Sequence, residues 1–135
     1  MRYLLDTNTV SHLMRANPVA LAHLNHIGTS RVFISAITDA EIRYGLAKNP
    51  AAIRLRHAVE ELWARVTVLD FTAKTAKIYG ALRAQLEISG MPMSPLDTLI
   101  ATTALEHNNP ADMVLVTNDH AFSRVTELLV EDWTH

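Results

Sequence analysis

The chain contains no cysteine. Thiol catalysis is therefore excluded, as are disulfide staples, and nothing in the composition calls for an oxidising compartment. Only four glycines occur, and none falls in a GxxxxGK or GxGxxG arrangement. The two common phosphate-cradling loops are thus missing. No apolar run approaches the roughly 20 residues that a membrane helix needs. The N-terminus has neither the basic region nor the apolar run of a secretion signal, so the expected location is the cytoplasm. Aromatic residues make up 6% of the chain, and Trp63 and Trp133 read as packing residues rather than platforms for stacking bases. Basic charge is scarce in one half. Residues 91–135 carry Arg124 alone against seven acids, whereas residues 1–90 carry eleven Lys/Arg against seven. That asymmetry fits solvated helix faces, and it equally fits a basic surface beside an acidic site.

What remains is ample for folding. The chain has 135 residues, 49% of them apolar, with a mean hydropathy of +0.09. These values predict one globular domain over residues 1–135 that needs no metal or disulfide to form a core. No repeat or low-complexity segment interrupts it. Short apolar segments read as strands at "YLLD" (3–6), "VFIS" (32–35), "VTVLD" (66–70), "MVLVT" (113–117) and "LLVEDW" (128–133). Helical spacing marks residues 38–47, 51–64, 72–88 and 95–107, and a helix follows Asn8. Such alternation predicts an α/β fold: a mostly parallel central sheet of about five strands with helices on both faces.

In parallel sheets of this kind ligands gather outside the carboxyl ends of the strands. Four acids fall there. Asp6 ends the first strand, and Asp119 follows the fourth. Glu41 and Asp97 lie in the first turns expected for two helices. Each has an ordinary explanation. Thr38 to Glu41 reads as a capping box, and Ser94-Pro95-Leu96-Asp97 has the same logic with Pro at the first helical position. Asp6 and Asp119 would serve as turn residues, with Thr7 and Asn8 turning the chain. Together, however, four carboxylates at one rim raise one another's pKa and oppose folding unless a cation compensates. Hard oxygen ligands with no cysteine and no placed histidine suit Mg²⁺ or Mn²⁺ rather than zinc. The seven histidines are scattered, and "NDHAFS" does not make a nucleophilic triad. Arg15, Arg43, Lys48, Arg54 and Arg56 are available for a nucleic-acid backbone, or are ordinary solvated charges.

Four segments in this order, "YLLDTNTV", "FISAITDAEIRYG", "SPLDTLIATTAL" and "LVTNDHAF", with a closing "VEDW", resemble the PIN-domain ribonucleases, specifically the VapC-type toxins of toxin–antitoxin pairs. The resemblance runs from Tyr3 to Trp133. It implies a PIN-like fold and a single PIN domain. It places Asp6, Glu41, Asp97 and Asp119 on the four acidic positions of the family site, as catalytic residues and metal ligands. Asn8 and Thr117 fall on supporting polar positions. It further implies Mg²⁺- or Mn²⁺-dependent hydrolysis of RNA, with tRNA the expected substrate. A homodimer, inhibition by a VapB-type antitoxin, and contact with DNA only through that antitoxin are also implied. One departure is Ala121, where some relatives carry a further acid, so the number of bound metals stays open. Three rivals fare worse. A haloacid-dehalogenase-like phosphatase needs a second acid where Asn8 stands. A receiver-type phosphoacceptor needs an acid pair after the first strand, although Asp70 ends the third. A PIN-like protein that only binds its partner is disfavoured by four intact acids.

Overall fold

The apolar run after Met1 forms the central strand of the sheet. In the computed structural model, which describes residues 1–135, β1 spans Arg2–Leu5. It is flanked by β2 (Val32–Ser35) and β4 (Met113–Val116), with β3 (Thr67–Leu69) and β5 (Leu129–Glu131) at the edges. The order is β3-β2-β1-β4-β5, and every pairing is parallel. Leu5 stands opposite both Ile34 and Val116, so β1 and β4 end level and β2 runs one residue further. From β1 the chain steps outward to β2 and β3, then returns to the other side for β4 and β5. The direction of winding thus reverses at β1, and a crevice opens beyond its carboxyl end.

Parallel strands require crossovers, and helices supply them. Helices α1 (Thr7–Met14) and α2 (Pro18–Ile27) join β1 to β2. Helices α3 (Ala36–Lys48) and α4 (Ile53–Trp63) join β2 to β3, and α5 (Ala73–Ile88) and α6 (Pro95–Glu106) join β3 to β4. Successive strand residues point to opposite faces. Leu4 accordingly packs with Met113, Leu115 and the apolar side of α5 and α6, including Leu82 and Ile100. Leu5 packs on the other face with Ile34, Val116, Val10, Leu13 and the fully buried Trp133.

All five expected strands are present: β2 matches its expected range, β1 is displaced by one residue, and β3, β4 and β5 are shorter by one to three; three helices match their expected ranges closely. Helix α3 differs. It begins at Ala36 because Ser35, not Thr38, caps it: the Thr38 N–H donates to Ser35 Oγ at 3.1 Å. The Thr7-Asn8 turn is also corrected. Asp6 caps α1 directly, its Oδ1 accepting the Thr9 N–H at 2.8 Å, so Thr7 and Asn8 are already helical. Helix α1 stops with two backbone bonds, Asn17 N–H to His12 O at 2.9 Å and Ala16 N–H to Leu13 O at 3.0 Å. This is the Schellman pattern, which places one residue in the left-handed region. Here that residue is Ala16, at φ 58°, where glycine is usual. Asn17 then caps α2, accepting from Val19 and Ala20 N–H at 3.0 Å each.

Candidate functional site

Asp6 is the innermost acid. It is 3% exposed, because its backbone N–H extends the β1–β4 ladder to Val116 O at 3.1 Å. The Thr9 hydroxyl donates to the same carbonyl at 3.0 Å. Burial pushes the Asp6 carboxyl above its ordinary value, and the negative charge of Asp97 pushes the same way. The Thr117 hydroxyl and the Thr9 N–H partly offset this. Asp6 and Asp97 therefore feel one another across the crevice, although 91 positions separate them in sequence.

The other acids are held by the ends of their own elements. Asp97 lies at the third position of α6; its N–H donates to Ser94 Oγ at 3.2 Å, and Pro95 opens the helix. Asp119 follows β4. Its Oδ1 accepts the Ala121 N–H at 2.9 Å and so caps the short 3-10 turn His120–Arg124, while its own N–H donates to Thr117 Oγ1 at 3.0 Å. Thr117, 2% exposed, thus bonds the main chain of Asp119 and lowers the charge cost at the Asp6 carboxyl. Glu41 does not cap α3. It lies in the second turn, and its Oε1 accepts the Thr7 hydroxyl at 2.7 Å. The Thr7 hydroxyl also meets that of Thr38 at 3.2 Å. Glu41 is tied in this way to the residue after Asp6.

None of the four acids has a basic partner. The ion pairs of the molecule are Arg2–Asp112, Arg43–Asp39, Arg83–Glu87 and His135–Asp132, all elsewhere. Nor do three of the acids close into a ready-made cage. Asp97 adds to the charge that Asp6 feels, Thr7 ties Glu41 to the residue after Asp6, and Thr117 bonds the main chain of Asp119. Carboxylate oxygens with no competing cation, one of them desolvated, are a donor set that fits a hard divalent ion keeping part of its water shell. Asn8 is exposed on the first turn of α1, and among the threonines Thr7 bonds the Glu41 carboxylate directly while Thr117 bonds the main chain of Asp119. Thr9 had a sequence signal, since it lies three residues after a capping Asp. Thr7 had none, because its partner is 34 residues away.

Beside the acids lies a groove of about 720 Å³ between α1, α3 and α4. Met14, Ile42, Leu46, Leu55 and Val59 give it apolar walls. Thr7 and Glu41 also line it, so it reaches the acidic rim, and Arg15 lines it from the end of α1.

A parallel sheet wound in this order, with unpaired acids at its carboxyl rim, agrees with the comparisons to known proteins. The PIN domain is matched over residues 3–128. A tRNA(fMet)-specific endonuclease VapC from Salmonella typhimurium is 34% identical over 134 residues, covering 98% of each chain. A chain in the solved structure of VapBC2 from Rickettsia felis, bound to a DNA fragment from its promoter, superimposes with a TM-score of 0.87 at 31% identity, over 98% of this chain and 99% of that one. A chain of DNA-bound VapBC from Salmonella typhimurium gives 0.84 at 35% identity, over 98% of each. The chain belongs to the PIN-domain family, in the group of the VapC ribonucleases.

Proposed function

We propose that residues 1–135 form a single PIN domain that acts as an endoribonuclease toxin of the VapC type. Its substrate is RNA, with tRNA the expected class, and its cofactor is Mg²⁺ or Mn²⁺. One observation carries this reading: the strand order converges four carboxylates on one rim, and no basic side chain neutralises any of them. The ribonuclease names of relatives that match over nearly the whole chain support it.

Asp6 and Asp97 are the principal ligands. Glu41 and Asp119 contribute directly or through water. When bound, the ion supplies a water of lowered pKa and offsets charge on the phosphate. The protein contributes position and proton transfer. Thr7 holds the Glu41 carboxylate where it can take a proton from the attacking water, and the Asp119 carboxylate, anchored by the Ala121 N–H, is the second candidate for that role. Asn8, exposed on the first turn of α1, is available as a supporting polar residue.

A VapB-type antitoxin is the expected inhibitor, in keeping with the VapBC complexes among the structural neighbours. An apolar segment filling the groove would cover Glu41 and Thr7 and so exclude RNA. DNA is contacted only through the antitoxin, the active form is a homodimer, and the setting is the cytoplasm. No helix of the chain is long and apolar enough to cross a membrane.

The test is cleavage of a total tRNA pool by the free protein and by Asp6→Asn, each with Mg²⁺, Mn²⁺ or EDTA. Discrete cuts that require metal and vanish in Asp6→Asn are expected. A folded, antitoxin-free wild type that leaves the pool intact would remove tRNA as substrate. Inertness toward mRNA and rRNA as well would overturn the ribonuclease reading.

A further inference from the structure

We infer that His12, Arg15 and Asn118 form a phosphate-holding rim that positions the RNA strand next to the acidic site. The inference rests on the ribonuclease reading above. His12 and Arg15 are one helical turn apart on α1, the helix that Asp6 caps. Arg15 Nη2 lies 3.5 Å from His12 Nδ1, and His12 Nε2 lies 3.5 Å from Asn118 Nδ2. Asn118 stands between Thr117 and Asp119. Asn118 directly precedes Asp119, so the trio adjoins the acidic rim on its β4 side.

The trio is rich in donors and short of acceptors. A neutral imidazole has one acceptor nitrogen, yet a guanidinium and an amide NH₂ face its two nitrogens. A charged imidazole has none. Turning the amide over satisfies His12 but still leaves most guanidinium N–H groups without a protein acceptor. Arg15 is exposed and joins no ion pair; five other arginines also join none, and what sets Arg15 apart is its contact with His12 beside Asn118. The nearby acid is Asp132. Its Oδ1 is already taken by the Thr134 N–H and hydroxyl at 2.8 and 2.6 Å, and its Oδ2 faces His135 at 3.5 Å. A phosphate oxygen supplies the missing acceptor, and the guanidinium favours it electrostatically. The Schellman stop at Ala16 fixes the backbone that presents Arg15.

The experiment measures cleavage kinetics and salt-dependent RNA binding for the free chain. R15A, R15K, H12A and N118A are compared with wild type for kcat and KM. The same changes in an Asp6→Asn background, which binds without cutting, give the slope of log Kd against log salt. R15A is expected to raise KM by roughly tenfold with kcat little changed, and to flatten the salt slope by about 0.7, the value for one lost phosphate contact on a single strand. R15K should recover the slope, and H12A and N118A should raise KM less. Wild-type cleavage with an unchanged KM and slope in R15A would overturn the inference. So would a loss of kcat at constant KM, which would place Arg15 in the chemistry. If R15A weakens only antitoxin inhibition, the trio belongs to the protein partner and the inference falls. If wild type cuts no RNA at all, the ribonuclease reading falls first and takes this inference with it.

Discussion

The two rims of the sheet treat the same residue type in opposite ways. At the amino rim, Asp112 precedes β4 and meets Arg2 of β1, whose Nε and Nη2 donate to one carboxylate oxygen at 3.0 and 2.7 Å. Those hydrogen bonds hold Asp112 below the ordinary carboxylate value. At the carboxyl rim, Asp6 follows β1 and meets no cation. Burial, with Asp97 adding to it, pushes Asp6 above that value. Paired strands thus carry a neutralised acid at one end and an uncompensated one at the other. The first arrangement serves stability. The second is a concession in stability that only a bound cation or a function explains. Ala16, left-handed at φ 58°, is a second concession on the same helix that Asp6 caps.

The largest way to break the contrast is to remove the uncompensated charge. Asp6→Asn and Asp97→Asn are each expected to lower RNA cleavage by at least about a hundredfold, since even outer partners of metal ligands cost ten to a hundred. Thr7→Val leaves Glu41 without its hydroxyl partner and should cost roughly tenfold or more in kcat or metal affinity, with the fold intact by circular dichroism.

Stability should move the other way. Asparagine caps a helix about as well as aspartate, so Asp6→Asn keeps the α1 cap while discarding a desolvated charge. Its melting temperature at pH 7 without metal should exceed that of wild type. Asp6→Ala, which loses the cap, should fall about 1 kcal/mol below Asp6→Asn in denaturant titrations. Ala16→Gly should stabilise by about 1 kcal/mol, because glycine takes the left-handed position without a Cβ penalty. The smallest change is Asp112→Asn, a slight loss that high salt reduces.

Opposite shifts also give opposite pH dependence. Asp6, with a folded pKa above its ordinary 3.8, adds stability that is fully present below 3.8 and is lost as pH rises through the folded value. The advantage of Asp6→Asn should therefore appear only above that range. Asp112, with a folded pKa below 3.8, adds stability that is present above 3.8 and is lost as pH falls through the folded value. The deficit of Asp112→Asn should disappear in strong acid. Melting curves of the three proteins across pH 2 to 8 check both signs.

Much of this arrangement was legible in the sequence, because it depends on strand ends. Tyr3 to Leu5, Val32 to Ser35 and Met113 to Val116 are short apolar runs with sharp polar stops, and the acids after them had to share a rim once the sheet was parallel. Ser94-Pro95 marked the start of α6, and so fixed Asp97. Glu41 was found, but its turn was misplaced. Ser35 and Thr38 are both competent caps, and only the backbone angles choose between them. The eight residues of α1 are too few for a periodic pattern to stand out. The Thr7–Glu41 bond and the groove depend on how α1, α3 and α4 pack, and no local pattern encodes that. The His12–Arg15–Asn118 rim is partly local, a one-turn spacing on α1, and partly a contact across 106 positions.

The most direct test of the central claim, that the carboxyl rim is built around a divalent cation, is thermal unfolding of wild type and Asp6→Asn in EDTA and in excess Mg²⁺ or Mn²⁺. In EDTA the variant should melt higher than wild type. Metal should then raise the wild-type melting temperature and leave that of the variant nearly unchanged, because binding to the folded state alone stabilises it by mass action. A wild type that ignores metal, or equal shifts in both proteins, would contradict the account.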